Sequence, residues 1–164
     1  MSILCDRDLY DLMLTGLIVV PDPSMLNPAS IDIRVGKNAI LETAYGRFDK
    51  IEIPDKGLVL EPGDFALVDT EEEFRVPNGY GVNLLLKSST ARKGFDHSLA
   101  FWLDPGYRGR PTMEVRNVLQ FNALRLVPGD RFAQALVHRL SGPSTQPYNG
   151  RYQGATAVEG SKSY

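Results

Sequence analysis

Short alternating apolar segments, several of them stopped by Pro-Gly or Asn-Gly turn chemistry, leave this chain little choice but an all-β fold. In SIDIRVG (30–36), Ile31, Ile33 and Val35 alternate with Ser30, Asp32 and Arg34, the period of a half-buried strand. LVL (58–60), FALVDT (65–70), FRV (74–76), VNLLL (82–86), LAFWL (99–103), TMEVRNV (112–118), ALRLV (123–127) and RFAQALVHRL (131–140) continue the series. EPGD (61–64), VPNGYG (76–81) and VPGD (127–130) separate several of them. Strands this short and this closely spaced predict a sandwich or barrel rather than alternating βα units. One helix is predicted near the start, capped by Asp6 or Asp8, with Leu9, Leu12 and Met13 as its apolar stripe and Gly16 as its stop.

The 164 residues amount to about one domain, large enough to bury a core without disulfides. A single cysteine, Cys5, fits a reducing compartment. The opening MSILCDRDLY puts acids where the apolar part of a signal peptide would begin, and no apolar run reaches membrane length, so the expected location is the cytoplasm. The net charge of −2, from 18 basic and 20 acidic residues, argues against a nucleic-acid polymer as partner. A small anion such as a nucleoside phosphate needs only a local cluster of cations. Residues 141–164, rich in Gly, Ser, Pro and Tyr, have no periodic apolar face and read by composition as a floppy terminus.

Two stretches could carry chemistry. In LLLKSSTARKG (84–94) an apolar strand runs into Lys87, Ser88, Ser89, Thr90, Ala91 and Arg92. Serines opening a helical turn can cap its N–H groups, and the same geometry receives phosphate. A capped surface turn with solvated bases is the other reading. The second stretch, AFWLDPGYRGRPTMEVRN (100–117), carries Asp104 and Glu114. Met113 and Val115 share one face of a strand, which sends Thr112, Glu114 and Arg116 to the other. Glu114 is then either solvated beside Arg116 or buried with a raised pKa and able to move protons near neutral pH. Asp104 is either a turn cap before Pro105-Gly106 or a site residue. His97 and His138 lack a paired ligand spacing, Trp102 reads as core, and one cysteine cannot supply the ligands of a zinc deaminase.

Together these pieces resemble the dCTP deaminase branch of the dUTPase-like superfamily. The likeness runs in order through ILCDRDL (3–9), NPASIDIRVG (27–36), LKSSTARKG (86–94), AFWLDPGYRG (100–109), TMEVRN (112–117) and PYNGRYQG (147–154). It implies a distorted jelly-roll or β-barrel over residues 1–140, including the helix, with 141–164 as a tail closing over the active site. It also implies a homotrimer with active sites at subunit interfaces. The implied reaction is hydrolytic deamination of dCTP to dUTP and ammonia without zinc, supplying dUTP or dUMP for thymidine nucleotide synthesis. Mg²⁺ would arrive on the triphosphate, with no metal ligands from the protein.

By that resemblance, Glu114 matches the proton-shuttling glutamate, and Ser88 with the Ala100 carbonyl holds the attacking water. Asp104 meets the sugar 3′-hydroxyl. Nucleotide contacts are implied for Lys87, Ser88, Ser89, Thr90, Ala91 and Arg92, for Thr112 and Met113, and for Gln134, Tyr148, Arg151 and Gln153. The chain departs from the family pattern at Lys87, where Arg is usual, and at Arg151, where Lys is usual. Phe101-Trp102 mixes features of deaminase-only enzymes with those of enzymes that also release dUMP and pyrophosphate. The alternatives are a plain dUTPase and a non-catalytic trimeric nucleotide-binding regulator.

Overall fold

The computed structural model of the chain describes residues 2–98 and 101–162. Its strands, in order, begin with β1 (Ser2–Ile3), β2 (Leu26–Asn27), β3 (Ser30–Ala44), β4 (Arg47–Glu52), β5 (Leu58–Leu60), β6 (Phe65–Thr70) and β7 (Phe74–Arg75). The second half adds β8 (Tyr80–Leu86), β9 (Phe95–His97), β10 (Trp102–Leu103), β11 (Arg108–Gly109), β12 (Thr112–Asn117), β13 (Leu124–Leu126) and β14 (Arg131–Arg139). The helical elements are α1 (Asp6–Leu12), which continues into a wider π turn at Met13–Leu17, a 3-10 turn at Pro23–Met25, and the single turn α2 (Ser88–Ala91).

The main sheet runs β10-β8-β14-β3-β6-β12-β9, with β1 added to β14 and both β2 and β4 added to β3. Separate ribbons pair β7 with β11 and β5 with β13. The sheet curls around a core containing Ile31, Ile33, Leu60, Val68, Phe74 and Leu84. The all-β expectation with one short N-terminal helix therefore holds.

Details differ where local pattern is weak. α1 is capped at Cys5 without a side-chain hydrogen bond, and Asp6 and Asp8 lie inside its first turn, where the helix dipole favours acids. Leu9, Met13 and Leu17 form the buried stripe, and Leu12 is only half-buried. β4 escapes the sequence reading because RFDKIE is an edge strand exposed at most positions. β1, β2 and β11 are two-residue pieces, too short to carry a period. Of the segment expected to be strand at 99–103, Leu99 and Ala100 lie outside the described residues. Among the described residues, no helix is long and apolar enough to cross a membrane.

The half-buried reading of SIDIRVG is corrected. Ser30, Ile31, Asp32, Ile33, Val35 and Gly36 are all buried, because β3 lies at the centre of the sheet and its polar face is covered too. Asp32, 1% exposed, accepts hydrogen bonds from Lys87, from Asn27 (2.9 Å) and from Arg131 (3.4 Å). Buried carboxylates persist only when paired in this way.

β3 serves two partners in succession. Its first half pairs with β14 and its second with β6 and β4, and the register slips between Val35↔Thr70 and Ala39↔Val68. At such a bulge the backbone amides lose ladder partners. Two buried acids replace them. Glu72 accepts the Arg34 amide (2.8 Å) and its Nε (2.7 Å), and Asp69 accepts the Asn38 amide (2.9 Å) and its Nδ2 (2.7 Å). Gly36 lies against Asp69 so closely that a Cβ would come within 2.1 Å of its Oδ1 and 2.8 Å of its carbonyl oxygen. Moving the side chain alone would not clear that methyl. Gly36→Ala is therefore expected to lower the unfolding free energy by about 1–3 kcal/mol through overpacking, read as a shifted denaturant midpoint at unchanged m-value.

Candidate functional site

Antiparallel pairing places Glu114 of β12 opposite Leu67 of β6, and Leu67 opposite Ile40 of β3, which in turn faces Lys50 of β4. This row of side chains forms the floor of a cavity of about 960 Å³. The 101–112 segment supplies one wall through Trp102, Asp104, Tyr107 and Thr112. The C-terminal tail supplies another through Tyr148, Tyr152 and Glu159.

Glu114 is half-buried, and its Oε2 is shut off from solvent without a hydrogen-bond partner among the described residues. Burial pushes its carboxyl above the usual glutamate range, against smaller downward pulls from its own backbone amide and from His97. Of the two sequence readings, solvated or shielded, the structure has the shielded one. A carboxyl group raised in this way holds a proton more readily than a solvated glutamate does.

Asp104 follows β10 and opens a tight turn in which the Tyr107 amide bonds the Asp104 carbonyl (3.0 Å). Pro105 and Gly106 fill the corner, and Gly106 has a φ of 87°, which a side chain would resist. The turn is closed by the Asp104 backbone, which leaves its carboxylate for other partners. Oδ1 accepts the Trp102 indole Nε1–H at 2.9 Å. The core reading of Trp102 is corrected: Phe101 is the buried member of the pair, and Trp102 is 40% exposed on the cavity wall. Tyr107 beside it is buried, which drives its phenol far above the usual range and keeps it neutral.

The tail is ordered against its own chain, contrary to what its composition suggests. Gln153 donates to the carbonyls of Gly106 (2.9 Å) and Tyr148 (3.1 Å) and accepts the Arg108 amide (2.8 Å). The Gly154 amide bonds Arg108, the Arg110 amide bonds Ala155, and the Glu159 amide bonds Thr112 Oγ1. Ala155 and Val158 are buried, and the Tyr148 ring lies 5.8 Å from that of Tyr107. Arg151 bonds the Lys162 carbonyl at 2.7 Å. Backbone pairing, which composition does not report, is what anchors this segment.

Asp104, Thr112, Glu114 and Tyr148 thus share one cavity, while Met113 is buried on the opposite face of β12. Lys87, Ser88, Ser89, Thr90, Ala91, Arg92 and Gln134 do not line it. They belong to the junction of β8, α2 and β14. Lys87 is the N-cap of α2, no side chain caps that turn, and the Lys87 ammonium is paired with Asp32. Gln134 lies in β14 opposite Asp32 and Leu85. Ala100 lies outside the described residues. Sequence reasoning misses Lys50, whose strand is the overlooked β4, and the partners Asp32 and Trp102. The spacing of Trp102 two residues before Asp104, on one face of a strand, is the signal that could have found the latter.

A family model described as dCTP deaminase-like matches residues 3–140. The "dCTP deaminase, dUMP-forming" of Acidothermus cellulolyticus is 33% identical over 99% of this chain and 95% of its own length. The dCTP deaminase of Pyrococcus furiosus is 36% identical over 84% of each chain. Among solved structures, the 2′-deoxycytidine 5′-triphosphate deaminase of Agrobacterium tumefaciens superposes with a TM-score of 0.69 at 22% identity, over 83% of this chain. This chain spans 47% of that protein's length. A variant of the dUTPase from phage phi11 of S. aureus superposes with a TM-score of 0.55 at 16% identity, over 85% of this chain and 95% of its own. The family model spans most of the chain and relatives more than 30% identical match nearly all of it, so the chain belongs to the dCTP deaminase-like family.

Proposed function

We propose that this protein deaminates dCTP and carries the product on to dUMP and pyrophosphate. The observation that carries the first step is Glu114, a shielded carboxyl with an unpartnered oxygen and a raised pKa, facing a cavity large enough for a nucleotide. The names of relatives matched over nearly the whole chain support the second.

In this reading Glu114 takes a proton from water as the water oxygen bonds to C4 of cytosine. It passes that proton to N3, then carries the proton of the new C4 hydroxyl to the 4-amino group, so that the C4–N4 bond breaks, ammonia leaves and C4=O forms. The resulting dUTP is hydrolysed between its α- and β-phosphates. The role asks for a carboxyl whose pKa lies nearer to neutrality than that of a solvated glutamate, and burial supplies the shift. Asp104 receives the sugar 3′-hydroxyl, and Tyr148 with the tail closes the cavity. Mg²⁺ enters as part of the substrate, since it takes most of its ligands from phosphate oxygens and water.

The triphosphate falls to Ser88, Ser89, Thr90, Ala91, Arg92 and Gln134, which lie outside the cavity of their own chain. The reading therefore requires a second copy to bring its α2 turn to the first copy's Glu114, as in a homotrimer with interfacial sites. Arg151 is assigned to the same lid as Tyr148, and Gln153 anchors the tail to the 106–108 backbone.

Glu114→Gln is expected to cut deamination by about 10²–10⁴-fold, measured as loss of cytosine absorbance with saturating dCTP. A folded variant that keeps its rate would remove Glu114 from the mechanism. Its stability should move the other way. A carboxyl whose folded pKa is raised stabilises the fold below its unfolded pKa, and that contribution is lost as pH rises through the folded value. The Tm of Glu114→Gln relative to the wild type should therefore increase with pH across that window, and a pH-independent difference would contradict the raised pKa.

Mixed subunits test the interface. Ser88→Ala and Glu114→Gln should each be inactive, and co-assembly should restore about a quarter of the sites if the two residues come from different copies in a closed ring. No recovery in verified hetero-oligomers would place both residues in one subunit.

A further inference from the structure

We infer that Trp102 is the positioning residue for the Asp104 carboxylate, held in place by a glycine platform on the neighbouring strand. The inference rests on Asp104 receiving the sugar hydroxyl, as proposed above.

β10 pairs with β8 so that Trp102 faces Asn83 and Leu103 faces Val82. The neighbour of Val82, Gly81, offers no side chain, and the indole lies across it. A Cβ on Gly81 would come within 2.2 Å of Cζ2 and 2.3 Å of Cη2. Gly81 faces His138 on β14, whose ring centroid is 5.7 Å from that of the indole. An aromatic ring laid over a bare glycine in a sheet is a recognised way to recover packing there. Behind it, the Asn83 side chain bonds the Phe101 carbonyl at 3.1 Å and fixes the backbone leading into Trp102.

The ring is thus held by its neighbours, while its one polar group points at Asp104. The Nε1–H occupies Oδ1 at 2.9 Å and sets the plane of the carboxylate, leaving Oδ2 for a hydroxyl donor. A half-buried carboxylate beside a turn, without such a donor, has several rotamers open to it. An indole N–H donates only, so it cannot compete with that carboxylate for a hydroxyl proton. Gly81, Trp102 and Asp104 form one device spanning β8 and β10, and Gly81 does not line the cavity.

The test compares dCTP with 2′,3′-dideoxy-CTP, which lacks the 3′-hydroxyl. Wild-type protein should prefer dCTP in kcat/KM. Trp102→Phe keeps a ring over Gly81 and loses the N–H, so it should lose about tenfold on dCTP, chiefly in KM, with little change on the dideoxy nucleotide. Gly81→Ala should shift the preference the same way by displacing the indole. Adding Trp102→Phe to Asp104→Asn should cost little more, because both act on one contact. Equal losses on the two nucleotides would mean a structural role only and would overturn the inference. Should the wild type show no preference, the sugar reading of Asp104 falls and takes this consequence with it. The contact has its own readout, since the chain has a single tryptophan. Asp104→Ala should change the emission of Trp102 in nucleotide-free protein, and an unchanged spectrum would overturn the contact itself.

Discussion

The fold depends on the bulge in β3, where one strand leaves one set of neighbours and joins another. Backbone amides at Arg34 and Asn38 are turned away from the ladder there, and buried amides without partners are among the more costly features a protein can carry. Glu72 and Asp69, at the end of β6 and just beyond it, supply the missing acceptors. Their own desolvation is the counterweight. Burial raises the Glu72 pKa even with Arg34 against it, so the arrangement survives because both carboxylate oxygens are engaged. With the bulge fixed, β6 lies beside β3 and β12 beside β6, and the row from Lys50 to Glu114 follows.

Buried acids in this protein fall into two kinds. Asp32, Asp69 and Glu72 are almost wholly enclosed, and each is hydrogen-bonded to cations or amides. Glu114 is less enclosed, yet one of its oxygens has no partner among the described residues. Carboxylates that hold a sheet together satisfy their lone pairs within the chain, as Asp32, Asp69 and Glu72 do. The same contrast applies to the cations. Lys87 is committed to Asp32, so any phosphate grip at α2 falls to the turn's backbone amides and Arg92.

The two walls of the cavity, the tail and the 101–112 segment, are hydrogen-bonded to each other. Gln153 ties the tail to the backbone of the turn that carries Asp104, and the Thr112 hydroxyl receives the Glu159 amide two residues from Glu114.

Much of this was legible in the residues. Period-two segments and Pro-Gly corners located most of the longer strands, and the Thr112/Glu114 face of β12 followed from the pleat alone, because a strand's side chains must alternate. The motif order carried the family. What the sequence could not determine was the environment each side chain met. Asp32 reads as a solvated residue on an alternating strand and is buried, because β3 became central. Trp102 reads as core and lines a cavity, because Gly81 across the sheet gave the ring a surface to lie on. The tail reads as disordered and is anchored, because its partners are backbone groups forty or more residues away. Local pattern sets which face a residue takes. Only the tertiary structure decides whether that face meets water, a partner or an open cavity, since desolvation and pairing depend on residues distant in sequence.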